Sequence, residues 1–97
     1  MATYIMLVNY TDQGIRHIKE SPGRLGDAKE LAKSLGGSFM DVYLTLGVHD
    51  FVATLDLPND AAAAKFALAL GALGRVRTTT LKAFSEEEFK SLVAELP

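Results

Sequence analysis

Two histidines, three tyrosines, one turn aspartate and a pair of arginines carry most of the chemistry open to this chain. His49 and Asp50 fall in LGVHDFV, Leu46 to Val52, where a glycine, a histidine and an aspartate interrupt two apolar runs. Imidazole can carry protons or bind a metal, and the adjacent carboxylate could receive an amine or a cation. The plainer reading is a turn. Gly47 supplies backbone that a Cβ would strain, Asp50 bonds nearby amides as aspartate does in turns, and His49 is solvated. Arg75 and Arg77 flank Val76 and so share one side of a strand. They could grip a carboxylate or phosphate by paired hydrogen bonds, or form a surface ion pair. Tyr4, Tyr10 and Tyr43 could orient a ligand by their hydroxyls. Asn9 is polar where the apolar pattern of the first strand predicts a continuation, so it lines a pocket or caps a helix. His17 is read as exposed on the first helical segment. Two histidines without a third ligand make no convincing zinc site.

Several classes of chemistry drop out. The chain has no cysteine, which removes disulfides, thiolate metal sites and cysteine nucleophiles, and fits a reducing cytoplasm. A net charge of -2 argues against a nucleic-acid surface, which needs clustered Lys and Arg. No apolar run approaches the ~18–20 residues of a membrane span, and MATYIMLVNYT reads as a first strand, not a signal peptide. No phosphate loop, zinc signature or nucleophile motif is present. The EEE run, Glu86 to Glu88, suits a helix start.

The elements that must position these residues follow from pattern and punctuation. TYIMLVN, Thr3 to Asn9, is a strand. Thr11, Asp12 and Gln13 offer N-cap chemistry for a short helical turn with Ile15 and Ile18 inward. Ser21-Pro22 predicts a bend and a new cap. The helix then runs through Leu25, Ala28, Leu31, Ala32 and Leu35 to the Gly36-Gly37 stop. SFMDVYLTL and DFVATLDL, joined at GVH, form a hairpin. Asn59 or Asp60 caps an alanine-dense helix anchored by Phe66, Leu70 and Leu73, which Gly74 closes. RVRTTTLKAF is the fourth strand. Ser85 with Glu88 makes a capping box for a terminal helix through Phe89, Leu92, Val93 and Leu96.

This order is β-α-β-β-α-β plus a small helix, an α+β ferredoxin-like plan with a four-stranded antiparallel sheet in one domain, 1–97. A chain of 97 residues buries only about 60–65% of its unfolded surface, so oligomerisation is a natural remedy. Both main helices cover one sheet face. Strict alternation places Tyr4, Met6, Val8, Tyr10, Asp41, Tyr43, Thr45, Val52, Thr54 and Asp56 on the other, and sets Met40, Val42, Leu44 and Leu46 against Phe39 and Tyr43. That mixed face calls for cover by a second copy, with the terminal helix as the rival. It could also frame a small-ligand site.

MATYIMLVNYTDQGI, LGVHDF, AAAAKFALALGALG and VRTTTLKAF together resemble the GYD-domain family of small bacterial proteins, along essentially the whole chain. The resemblance implies the dimeric α/β barrel superfamily, in which ferredoxin-like subunits join sheets face to face. The family's naming motif has glycine, then tyrosine-aspartate one residue on. Here Gly47 and Asp50 match and His49 stands where tyrosine is usual. A weaker likeness, through the glycine-aspartate hairpin and GALGRVRTTT, runs to the effector-binding domain of leucine-responsive transcription regulators. Those bind amino acids at subunit interfaces, but this chain carries no helix-turn-helix segment. The expectation is a cytoplasmic homodimer or higher homo-oligomer acting as a binding or assembly module. It would sense a small metabolite at the dimer interface, with Tyr4, Asn9, Tyr10, Tyr43, His49, Asp50 and Arg77 as candidate ligand-binding residues. The alternatives are a barrel enzyme of oxygenase or isomerase type, with His49 as a haem ligand, and a structural protein assembling through its edge strands.

Overall fold

A computed structural model describes residues 1–97. Strand β1 (Ala2–Tyr10) leads into a short helix α1 (Asp12–Arg16), a 3-10 turn (Ile18–Glu20) and helix α2 (Ser21–Ser34). Then follow β2 (Ser38–Leu44), β3 (Phe51–Leu57), α3 (Asp60–Ala72), β4 (Val76–Ala83) and α4 (Glu86–Ala94). The sheet is antiparallel in the order β2-β3-β1-β4. This is the ferredoxin-like α+β arrangement that the element order predicts.

The caps explain most boundaries. The Thr11 hydroxyl accepts from the Gly14 amide and starts α1. Asn59, not Asp60, caps α3 through a bond from the Ala62 amide to its Oδ1, 2.9 Å. Ser85 and Glu88 close a reciprocal capping box on α4. Gly36 ends α2 in the left-handed region at φ +89°. Ser21 departs from expectation: it is the first residue inside α2, with Pro22 next to it. Its hydroxyl meets that of Tyr10 at 2.6 Å and caps nothing. Ile15 and Ile18 also depart, being exposed. The five-residue α1 instead presses Gly14 onto the sheet, so close that a Cβ there would fall 1.9 Å from the Arg75 carbonyl oxygen.

Tyr4 and Met6 of β1, Leu55 and Leu57 of β3, Ala32 of α2 and Ala62, Ala63 and Phe66 of α3 form the core. Alanine at the contact points lets α2 and α3 lie close to the sheet, and Phe66 fills the space between, edge-on to Phe39 at 5.7 Å. Only ten of 97 residues are fully buried, so this single layer of helices leaves a small core.

Register corrects the assignment of faces. Tyr4 pairs with Leu55 and Met6 with Ala53, so Tyr4, Met6 and Val8 lie under the helices and do not share a face with Asp41 and Tyr43. Thr3, Ile5, Leu7 and Asn9 are the open side of β1, opposite Asp56, Thr54 and Val52 of β3. A register shift between Phe39 and Asp41 explains the second mismatch. The extra residue flips the phase, so Phe39 joins the helix-covered core while Met40 faces solvent.

The terminal helix does not roof the open face. No residue of α4 is buried, and it makes no sustained contact with another element. The radius of gyration, 14.6 Å, exceeds the roughly 12.5 Å expected for a compact chain of this length. The molecule measures 52 × 31 × 18 Å along its axes.

Candidate functional site

The connection between β2 and β3 spans residues 45–50, longer than the three-residue GVH joint. Gly47 takes φ +111°, a value that disfavours any side chain. The loop is held from both sides. The Thr45 amide donates to the Asp50 carbonyl at 2.8 Å, and the Asp50 amide donates to the Val8 carbonyl at 2.9 Å. The Thr45 hydroxyl donates to the His49 carbonyl at 2.6 Å. Asp50 Oδ2 accepts from the Tyr10 amide at 2.8 Å. The Asp50 side chain thus bonds the end of β1, while its backbone carbonyl closes the loop, and together they clamp the hairpin to the centre of the sheet.

Asn9 completes the clamp and sets the chemistry of His49. Its Nδ2 donates to the Val48 carbonyl at 2.6 Å, which fixes the amide orientation. Its Oδ1 lies 2.8 Å from His49 Nδ1. Since that oxygen can only accept, Nδ1 carries a proton, and in the neutral ring the lone pair lies on Nε2. The imidazole is therefore oriented and half-buried, with Nε2 left unpartnered. Arg77 lies beside Asn9 in register on β4, exposed and without an ion pair. Tyr43 pairs with Val52 on the same open face. Asn9, Tyr43, His49, Asp50 and Arg77 thus gather at or near one end of the sheet.

Two of the seven candidate residues stand apart. The Tyr10 ring packs edge-on to Phe51 at 5.6 Å, and its hydroxyl is taken by Ser21. Tyr4 is buried at the far end of the covered face, where its hydroxyl donates to Asp60 Oδ1 at 2.5 Å. That bond, with burial and the carboxylate charge adding to it, pushes the phenol up to about 12. The same bond, reinforced by Lys82 at 3.3 Å, lowers the Asp60 carboxyl. This linkage ties β1, the start of α3 and β4 together. Arg75 also leaves the group: it sits 3.9 Å from Glu20, which His17 and Arg24 share.

The open face has its own organisation. Ile5, Leu7, Val52, Tyr43 and Leu81 make an apolar centre. Polar groups lie among and around it: Thr79 opposite Leu7, Thr54 opposite Ile5 and 3.4 Å from Asp41, Thr3 with Asp56 at 3.0 Å, and Asn9 beside Arg77. Such a mixture of apolar and polar groups is common at protein interfaces. Ile5, Leu7 and Leu81 were not expected here. Their signal lay in the β3 pattern, where Ala53, Leu55 and Leu57 alternate with Val52, Thr54 and Asp56, but only register passes that phase to β1.

No three His, Asp or Glu side chains converge as a metal site. Haem fits poorly within one chain. A groove of about 570 Å³ between α2 and β2 contains no histidine, while the His49 loop ends in solvent-facing Leu46 and Val48. No helix is long and apolar enough to cross a membrane.

A ferredoxin-like sheet with one open face and a clamped glycine-aspartate hairpin defines the class. The GYD domain model matches residues 4–93, and the chain belongs to that family. Among its relatives is the glutamine synthetase and cystathionine beta-lyase binding protein of Thermus thermophilus. It is 33% identical over 84 residues, which are 86% of this chain and 88% of the relative. The fold is also similar to the crystal structure of MtbAldR, with TM-score 0.68 and 19% identity over 88% of this chain; the match spans 52% of that protein. A third likeness is to the crystal structure of TTHA0845, also from Thermus thermophilus. There the TM-score is 0.51 and the identity 24%, covering 88% of this chain and 95% of that one. The two structural likenesses speak to fold alone.

Proposed function

We propose that this protein is a small homo-oligomeric binding module that pairs with itself through the open sheet face and docks a partner protein on its clamped hairpin. The observation that carries the reading is the uncovered face around Ile5, Leu7, Val52, Tyr43 and Leu81, beside a helix layer that roofs only the other side. Leu46 and Val48 add a second feature. They are 99% and 84% exposed on a loop whose backbone Asn9, Thr45 and Asp50 hold in place, and a rigid apolar tip loses little entropy on docking. The Thermus relative's name makes glutamine synthetase and cystathionine beta-lyase the first partners to try. At the edge of the paired faces, Arg77 can meet a carboxylate and His49 Nε2 can accept a hydrogen bond, a pair of groups suited to an amino acid or small acid.

Isothermal titration against each of the two enzymes tests the partner reading. Saturable binding to at least one is expected, lost in Leu46→Ser/Val48→Ser while self-association is retained. No heat with either enzyme up to about 0.1 mM, well into the weak-binding range, overturns it. A thermal shift with amino acids that disappears in Arg77→Ala supports the ligand site. Asp50 is the wrong probe, because its carboxylate holds the hairpin.

A further inference from the structure

We propose that α4 is an exchanged arm, which seats in the groove between α2 and β2 of a second copy within the sheet-to-sheet dimer. The proposal rests on the face pairing described above. Leu92 and Val93 lie three and four residues after Phe89, so the three share one stripe of α4, and Leu96 follows just past the Glu95 C-cap. All four are exposed, as is Phe84 just ahead of the Ser85 cap. The capping box nevertheless fixes the helix start. The result is a preformed helix with an apolar stripe that its own chain leaves bare.

A matching surface lies at the opposite edge of the same molecule. The groove of about 570 Å³ presents Leu25, Phe39, Met40, Val42 and Leu44 between α2 and β2. Its rim carries Lys29 and Lys33 beside Glu30 and Asp41, so the groove has no net charge. The arm is acidic, with Glu86, Glu87, Glu88 and Glu95 against Lys90 alone. Arm and groove therefore match in apolar character, with Lys29 and Lys33 as the cations the arm's carboxylates can meet.

Connectivity says why the occupant is another copy. The arm follows β4, while the groove borders β2, and β1 and β3 lie between them. A two-fold axis parallel to the strands, set between two stacked sheets, lays β4 of one copy over β2 of the other and keeps the strand ends aligned. The end of β4 at Ala83 then arrives at the start of β2 at Ser38, the near end of the groove. Each phenylalanine brings roughly 150–250 Å² of side-chain surface. Two reciprocal arms and their grooves can therefore pass the ~1,000 Å² that marks a specific interface.

The chain has no cysteine, so a pair of single variants reports the contact cleanly. Met40→Cys and Phe89→Cys change exposed residues; the two proteins are mixed, oxidised mildly and run on a non-reducing gel, with light scattering alongside. The expected result is a reducible Met40→Cys/Phe89→Cys heterodimer, formed well above either self-linked species. A dimer by light scattering with no such cross-link overturns the arm exchange and leaves face pairing standing. A monomer overturns both. Leu92→Asp, checked for retained fold by circular dichroism, should weaken dimerisation tenfold or more; unchanged dimerisation also overturns the proposal.

Discussion

α3 and α4 each follow a strand and carry a phenylalanine on an apolar stripe, yet Phe66 of α3 has 0% exposure and Phe89 of α4 has 60%. Helix formation itself does not separate them, although α3 is alanine-dense and α4 opens on three glutamates. Both helices have a good N-cap, Asn59 in one and Ser85 in the other, and both are rich in helix formers. What differs as much is what lies opposite. α3 returns over Met6, Leu55 and Leu57, whereas α4 leaves the sheet with nothing in its own chain to meet. Local propensity makes a helix; only a facing surface turns it into part of a core. The two faces of the sheet repeat the lesson, with one sealed by α2 and α3 and the other left with Ile5, Leu7 and Val52 half-exposed.

Breaking the sealed side should cost most. Phe66→Ala is expected to destabilise the chain by about 3–5 kcal/mol, the range for a buried aromatic, measured by chemical denaturation. A loss below about 1 kcal/mol would show that the helix layer is not the core. Asn9→Ala comes next. It removes the bonds to Val48 and His49 and should cost about 1–2 kcal/mol. It should also change the His49 ring-nitrogen NMR signals, because Nδ1–H loses its acceptor; unchanged signals would contradict the tautomer.

Tyr4→Phe should cost about 1 kcal/mol, and it carries a pH signature. The folded phenol, pushed from its ordinary 10.0 to about 12, contributes fully below pH 10 and loses that contribution as pH rises through 12. Denaturation midpoints of the parent should fall across that window more steeply than those of Tyr4→Phe, and parallel curves would refute the linkage to Asp60. The smallest effect on chain stability is expected at Phe89. Phe89→Ser should move a monomer's unfolding free energy by less than about 0.5 kcal/mol, as exposed changes do. A larger loss in dilute protein would mean that α4 packs on its own chain.

The fold was legible because its signals are local. Gly36 and Gly74, the Asn59 and Ser85 caps and the strand patterns all act within a few residues. GYD membership was legible for the same reason, since LGVHDF and VRTTTLKAF are short stretches. The faces were not, because register between β1 and β3 is a long-range property. The shift at Phe39–Asp41 also broke the alternation on which the reading of β2 depended. Of the candidate site, the cluster of Asn9, His49 and Asp50 could be anticipated from types and placement. That Asp50 bonds the Tyr10 amide, and that Tyr4 lies under α3, depend on contacts 40 and 56 residues apart.

The claim on which the rest depends is that the open sheet face is shared between copies. Sedimentation velocity on the intact chain at micromolar concentration tests it most directly, with Leu7→Lys run alongside. A dimer or a larger even-numbered particle is expected for the parent and a folded monomer for Leu7→Lys. A parent that sediments as a folded monomer, or a Leu7→Lys variant that assembles as the parent does, would contradict it.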